Sequence, residues 1–355
     1  MRVADSPSTT LQRMHSPLRR FVALGLVGAL VATAWVGGAP TGAQEPDLAA
    51  PSIDDYGPTK RAPRGGELEP RAPGTNRWKY RGTLGRLGNN KQVVPPVISG
   101  PARVEGSAPL TGKKTRRRLD RPAILVKIDN VAPSRPQTAI NQADIVYEEL
   151  VEAGATRLAA VFHSNQPSVI GPVRSARTTD IGIAVSFGRP IFAFSGANNI
   201  VERLVDRARL VNRGNEVFAG YFRSGGRPAP HNLYVRSSTL QNSVRASDKA
   251  GTPRPHFEYR PRRTEPPSDA ATAHTIQLKF QRGRGVPVRY EWDGAVGGWL
   301  RFQNNRRHVD SAGVQVAPEN VVVQIVPHIY AGMTDKFGED LYEAQMVGTG
   351  EALVF

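Results

Sequence analysis

From Gln44 to about Leu119 the chain is rich in Pro, Gly, Arg and Glu and shows little apolar periodicity. Such a segment cannot bury enough apolar surface to offset the entropy of ordering it, so residues 44–119 are expected to form a disordered linker. A packed core is thereby confined to residues 120–355. At roughly 100–200 residues per domain, the 355-residue chain has room for two compact units. The linker closes on a basic cluster, Lys113 to Arg118 (KKTRRR), which reads either as a solvated charge run or as an attraction to an anionic polymer or surface. The stretch GSAPLTGKK before it has a phosphate-loop flavour. Its spacing is off by one, Lys114 replaces the hydroxyl residue, and no buried strand precedes it.

Ahead of the linker, Phe21 to Val36 (FVALGLVGALVATAWV) holds no charge and follows Arg19-Arg20. A basic flank, a short apolar run and then small residues form the layout of a secretory signal, with cleavage expected after Ala43. The run is short of the about 20 residues that span a bilayer, and the alternative is an uncleaved N-terminal anchor. Arg19-Arg20-Phe21 hints at twin-arginine export without the rest of that motif, and Met14 is an alternative start. Residues 1–43 are thus a signal peptide or anchor, and the folded part works outside the cytoplasm, secreted or associated with the envelope.

The absence of cysteine excludes disulfides, thiolate zinc sites, cysteine nucleophiles and lipidation at a signal-peptide cysteine. A net charge of +16 suits polyanionic neighbours. Export removes nucleic acid as a partner, and no aromatic–basic module is present. An anionic cell-wall polymer or peptidoglycan is the partner that remains, with a membrane involved only if the N-terminal segment is retained.

The first apolar run after the linker, Ala123 to Ile128, reads as a buried strand that delivers Asp129-Asn130 into a Pro-bearing turn. Asp144 to Glu152 suits helix or strand; strand–turn–strand is favoured, with Arg157 to His163 as the second strand. Asp144, Glu148 and Glu152 share one side under either periodicity, which predicts a solvated acidic edge. GPVRSAR (Gly171 to Arg177) leads into a helix near Thr179 to Phe187, capped by Thr178 or Ser175. Pro190 to Ser195 reads as a strand. A helix from about Ile200 to Leu210 follows, with Asn199 and Glu202 as its capping box. Pro- and Arg-rich residues from Ser247 to Asp269 mark the joint between lobes. Beyond it, strands are expected at Thr275 to Phe280, Val286 to Trp292, Trp299 to Gln303 and Asn320 to Pro327. The fold class is α+β: two lobes (120–250 and 251–355), each a mixed or antiparallel sheet with helices. The chain stops just after the apolar ALVF, as a C-terminally truncated lobe would.

DNVAPSRPQ (Asp129 to Gln137), ADIVYEELVEAG-TR (Ala143 to Arg157), GPVRSAR and HNLY (His231 to Tyr234) resemble the YerB-like family, which carries the domain of unknown function 3048. PLTG (Pro109 to Gly112) resembles the segment that precedes that domain. Tyr290 to Asp293, Arg301, His308 with Asp310, and Asn320-Val-Val-Val-Gln are similar to its second lobe. The resemblance covers roughly Pro109 to Phe355. It implies an extracytoplasmic two-lobed α+β fold of the kind found in bacterial envelope lipoproteins, and no reaction. Two departures stand out: the family's lipobox cysteine is missing, and so is its C-terminal stretch rich in Gly and Trp.

Read physically, these motifs gather acids and arginines at strand and loop ends, which either pair internally or bind a polar ligand. Arg135, Arg157, Arg174 and Arg177 suit carboxylates or phosphates, with Asn130, Gln137, Glu152, Ser175 and Asn232 as further ligand-binding candidates. Asp129, Glu148 and His231 are the catalytic candidates: a carboxyl pair for glycosidic cleavage, or a histidine base. Ser175 lacks a nucleophile elbow. The seven histidines lack metal spacing, so neither metal nor other cofactor is expected. Binding of an anionic wall-associated ligand is the first expectation, and cleavage or modification of peptidoglycan the alternative.

Overall fold

The computed structural model describes residues 68–70, 78–80, 101, 104–259, 270–280, 285–335, 338, 340–346 and 351–355. The signal or anchor segment and most of the expected linker lie outside the described residues. Within that linker, β1 (Leu68–Pro70) and β2 (Trp78–Tyr80) pair antiparallel, so it is not uniformly without structure.

Lobe one is built on a five-stranded mixed sheet in the order β4-β5-β3-β6-β7. Its central strand β3 (Ile124–Asp129) pairs antiparallel with β5 (Thr156–Phe162) and parallel with β6 (Ile191–Ala193). At the edges, β4 (Ile145–Leu150) pairs antiparallel with β5, and β7 (Val211–Asn212) pairs parallel with β6. The ambiguous Asp144–Glu152 stretch is therefore strand, turned back by the short 3-10 segment Glu152–Gly154. Each strand has period two, and both faces of the sheet are buried. Leu125, Tyr147, Ala159 and Phe192 pack on one face against α1 (Thr178–Ser186) and α2 (Asn199–Arg207). Ile124, Val126, Leu158 and Ile191 pack on the other, with Leu240 of α3 (Ser237–Asn242) and Val235 of the hairpin β8 (Tyr221–Arg223) and β9 (Leu233–Val235).

Helix starts differ from expectation by a residue. Arg177, not Ser175 or Thr178, precedes α1, and its N–H donates to Asp180 Oδ2 at 2.7 Å. Asn198 caps α2, its Oδ1 accepting the Ile200 N–H at 3.0 Å. The packed region also starts before residue 120, because Leu110 and Leu119 are core residues. The PLTG turn is fixed by Gly112, whose φ of +65° suits glycine and where a Cβ would overlap the Tyr259 ring.

Lobe two holds the four-stranded antiparallel sheet of β10 (Thr275–Lys279), β11 (Pro287–Asp293), β12 (Gly298–Gln303) and β13 (Arg306–Arg307). The expected strand at 320–327 is β14 (Val322–Ile325), whose partner is β17 (Glu351–Val354), the ALVF stretch itself. The hairpin of β15 (His328–Thr334) and β16 (Asp340–Ala344) was not anticipated. It does not join the lobe-two sheet. Ala331, Met333 and Leu341 instead enter the lobe-one core beside α1, and the Ala344 N–H donates to Thr179 Oγ1 at 3.0 Å. Lobe two is thus stitched over lobe one rather than hung from the joint. Among the described residues no helix is long and apolar enough to cross a membrane.

This stitching buries ionisable groups. Burial lowers His328 and His256 from 6.5 to about 4, and it raises Glu343 from 4.5 to about 8. Burial, then the charges of Arg301 and Arg135, hold His308 well below the ordinary histidine range. A histidine depressed in the fold contributes stability above pH 6.5 that is lost as pH falls toward its folded value. A carboxyl raised in the fold contributes stability below 4.5 that is lost as pH rises through 8. Thermal stability should therefore peak near about pH 6.5 and fall on both sides, each group carrying about 1.4 kcal/mol per pH unit within its window. Melting curves from pH 4 to 9 check this, with Glu343→Gln flattening the alkaline limb. A midpoint that climbs steadily from pH 6 to 9 would contradict it.

Candidate functional site

The carboxyl end of β3 divides the polar residues of lobe one into two groups, because consecutive strand residues point to opposite faces. Asp129 points to the face of α1 and Asn130 to the face of lobe two. Their strand neighbours follow the same alternation.

On the α1 side Asp129 is buried, and two loops reach it. His231, from HNLY, places Nδ1 2.8 Å from Asp129 Oδ2. Arg174, from GPVRSAR, places Nε 3.2 Å from the same oxygen, a charge contact without hydrogen-bond alignment. Arg157 lies opposite Asp129 in the β3–β5 register and donates from Nη1 to the Ser175 carbonyl at 3.1 Å. Its Nη2 stands 3.7 Å from Glu152 Oε2, and Arg177 Nε donates a short hydrogen bond to Glu152 Oε1. Burial tends to raise Glu152, but the hydrogen bond and charge of Arg177, with Arg157 behind them, hold it below its ordinary value. Burial and then the Arg177 charge lower Arg157 to about 10, which leaves it charged at neutral pH. Arg174 and His231 keep 26% and 17% of their side chains exposed, so this group opens to solvent through them. Among the described residues, the Arg174 Nη groups and His231 Nε2 meet no hydrogen-bond partner.

Beneath this rim lies a group that sequence reasoning missed. Lys127 Nζ donates to Glu149 Oε1 at 2.8 Å and Asp180 Oδ1 at 2.7 Å, all three fully buried or nearly so. Burial and the Asp180 charge push Glu149 upward, with Lys127 offsetting only part. The period-two pattern puts Lys127 and Asp129 on one face and was readable. What hid the triad was that nothing local names Glu149 and Asp180 as the partners of Lys127.

On the other side, Asn130, Gln137 and Glu148 form the floor of the lobe junction. Glu148 is fully buried and takes both oxygens to Arg301 Nη2 of β12, at 2.8 and 2.9 Å. It also accepts from Thr156 Oγ1 at 2.8 Å and Asn130 Nδ2 at 3.3 Å. Arg301 donates a short hydrogen bond to His308 Nδ1. An arginine can only donate, so His308 must carry its proton on Nε2, which donates to Gln137 Oε1 at 2.7 Å. Gln137 Nε2 then donates to Asn130 Oδ1 at 3.0 Å and closes the ring. Asp310 extends the junction through Asn141, whose Nδ2 donates to Asp310 Oδ2 at 2.9 Å.

Several expectations are corrected by this geometry. Asp144, Glu148 and Glu152 are not a solvated edge. Asp144 accepts the His163 and Ser164 N–H groups, Glu148 is sealed under lobe two, and Glu152 holds two arginines. Glu148 is closed off from solvent in this structure and paired with Arg301. Asn130 and Gln137 are spent inside the junction, and Asn232 ties the β8–β9 loop to Arg227 and Arg223. Ser175 offers the group its carbonyl. Its Oγ lies against the Gly196 turn, where a Cβ would come within 3.2 Å. Arg135 sits apart, within electrostatic reach of Arg301 and Glu148. Arg301 and His308 stood among the family-like residues yet were not assigned to the site, because nothing in one sequence says that β12 reaches β4. Among the described residues no cluster of three His, Asp or Glu side chains could hold a metal.

Two lobes joined by a buried hydrogen-bonded ring around one ion pair, with an arginine-lined rim at the strand end of the first, define a two-lobed α+β architecture. The chain belongs to the DUF3048 family: residues 110–251 match the "Protein of unknown function (DUF3048) N-terminal domain" and residues 276–355 its C-terminal domain. It is similar to the putative lipoprotein YerB of Bacillus subtilis (strain 168), with 34% identity over 140 residues, 39% of this chain and 42% of the relative. The aligned part thus spans less than half of that protein. The crystal structure of YerB from Bacillus subtilis superposes with a TM-score of 0.59 at 24% identity, covering 70% of this chain and 83% of that one. That likeness concerns the fold.

Removing Arg301 would strand a buried carboxylate. Arg301→Ala should cost about 3–5 kcal/mol in urea unfolding, while the pair Glu148→Gln with Arg301→Met should recover most of the loss. A cost below about 1 kcal/mol for Arg301→Ala would show that Glu148 is not dependent on lobe two.

Proposed function

We propose that the protein is an envelope-associated binding protein whose lobe-one rim holds an anionic group of a wall polymer or of peptidoglycan. The observation that carries this reading is the pair Arg174 and His231, anchored from behind on buried Asp129 and still open in front. Anchoring through Nε and Nδ1 orients both side chains and leaves their outward donors for a ligand, which lowers the ordering cost of binding. Arg157, Arg174 and Arg177 exceed the carboxylates Asp129 and Glu152 by one charge, and a bound oxyanion would balance it. The exposed basic residues Lys114, Arg116 and Arg117 near the start of the domain, with the chain's net charge of +16, favour an anionic surface as the setting. The lipoprotein name of the Bacillus relative supports envelope association. Without a lipobox cysteine, attachment here rests on the N-terminal apolar segment or on the ligand itself.

A second reading is favoured by one feature. A carboxylate that fixes Nδ1 of a histidine and leaves Nε2 outward is the orienting arrangement of a general base. With Glu148 sealed, wall cleavage would rest on Asp129 and His231 alone.

Isolated sacculi separate the two. The purified full chain should sediment with them and release no soluble muropeptides, and Arg174→Gln should weaken retention about tenfold without lowering the melting midpoint. Soluble fragments that vanish in His231→Ala would favour the enzyme, and indifference to sacculi would end both readings.

A further inference from the structure

The lobe junction carries a second, uncompensated basic group. Arg135 follows the 3-10 turn Ala132–Ser134 and is half-buried, with its Nε enclosed and without a hydrogen-bond partner. The loop around it is held rigid. Arg227 Nη1 and Nη2 donate to the Ser134 and Pro136 carbonyls at 2.7 and 2.8 Å, and Gln137 is pinned to the Asp129 carbonyl at 3.1 Å. Facing this loop is the β12–β13 turn of lobe two, where Arg306 pairs in register with Gln303. Gln303 Nε2 points at the Asn130 carbonyl at 3.5 Å, which sets the turn directly over the end of β3. Arg306 is exposed and has no ion pair among the described residues. Burial, then the positive charges of Arg301 and Arg306, lower Arg135 below the ordinary arginine value, while Glu148 opposes them. Glu148 gives both oxygens to Arg301, Asp310 accepts from Asn141, and among the described residues neither Arg135 nor Arg306 has an ion pair.

We infer that Arg135 of lobe one and Arg306 of lobe two form a second oxyanion subsite, so that the ligand is an oligoanion engaging both lobes rather than a single charged group. The inference rests on the rim reading above and narrows it. Asp129 and Asn130 are consecutive, so the Arg174–His231 rim and the Arg135–Arg306 subsite flank one strand end. Two anionic groups within one short chain would span them. Two like guanidinium charges brought together repel each other, and an oxyanion bonded by the Nη groups of Arg135 and Arg306 would offset that repulsion. The unit that recognises the ligand is then the locked pair of lobes, which gives the buried Glu148–Arg301 ring a functional consequence: it sets the distance between the two subsites.

The test titrates the full chain with linear tripolyphosphate, with orthophosphate as the one-group control, by calorimetry at fixed ionic strength. Wild type should bind tripolyphosphate at least about tenfold more tightly than orthophosphate. Arg306→Gln, an exposed change that leaves the core intact, should erase most of that advantage while keeping orthophosphate affinity within about twofold. Arg135→Gln should do the same, and unchanged melting curves for both variants would show that folding is not the cause. If Arg174→Gln weakens both anions and Arg306→Gln weakens neither, the second subsite is overturned and the rim reading stands. If Arg306→Gln removes tripolyphosphate binding and Arg174→Gln has no effect, the subsite stands without the rim. Equal affinity for both anions in wild type overturns the oligoanion inference.

Discussion

Glu148 carries a carboxylate into a place that water does not reach, and the arrangement of both lobes follows from how that charge is met. An isolated buried carboxylate would take up a proton or unfold its surroundings. Here both its oxygens accept from Nη2 of Arg301, from the far lobe, and two lobe-one donors complete its shell. Arg301 in turn fixes His308 in one tautomer, His308 fixes Gln137, and Gln137 fixes Asn130. Ion pairs of this kind contribute little net stability, since desolvation consumes most of the attraction. What this one supplies is registry: β12 has one position over β4 at which every donor finds its acceptor.

That registry explains why the polar residues at the end of β3 behave so differently. Asp129 and Asn130 are neighbours, yet one supports a rim with exposed donors and the other is locked in an interior ring. Arg174 and His231 stay partly open to solvent while their inner atoms meet Asp129. On the proposed binding reading, side chains oriented in this way would lose less freedom when a ligand arrives.

Much of lobe one was legible in the sequence because period-two burial and short turns are local properties. Ile124–Asp129, Thr156–Phe162 and the helices α1 and α2 fall within a few residues of where the patterns put them, whereas α3 was not anticipated. The convergence of His231 and Arg174 on Asp129 was foreshadowed only by family-like motifs gathered into one group, without a pairing. Three things stayed hidden. The hairpin β15–β16 spends its apolar face on the other lobe, so its strands look like an unremarkable end of lobe two. Lys127 lies within the run read as a buried strand, and nothing local names Glu149 and Asp180 as its partners. Glu148 looks like a catalytic acid because a carboxylate among apolar residues is either reactive or paired, and its partner lies 153 positions away. Local pattern cannot decide between those fates, because the deciding residue belongs to a different lobe.

The central claim is that the two lobes form one cooperative unit closed by the Glu148–Arg301 ring. Native-state hydrogen exchange measures this most directly, by comparing the opening free energy of the Arg301 amide in β12 with that of the Asp129 amide in β3. Both amides are bonded across loop carbonyls, Arg301 to Val316 at 2.8 Å and Asp129 to Pro172 at 2.9 Å. A single unit predicts that they exchange through the same global opening, with values that agree and shift together in denaturant. A lobe-two amide that opens several kcal/mol more easily than its lobe-one counterpart, with its own denaturant dependence, would contradict the account.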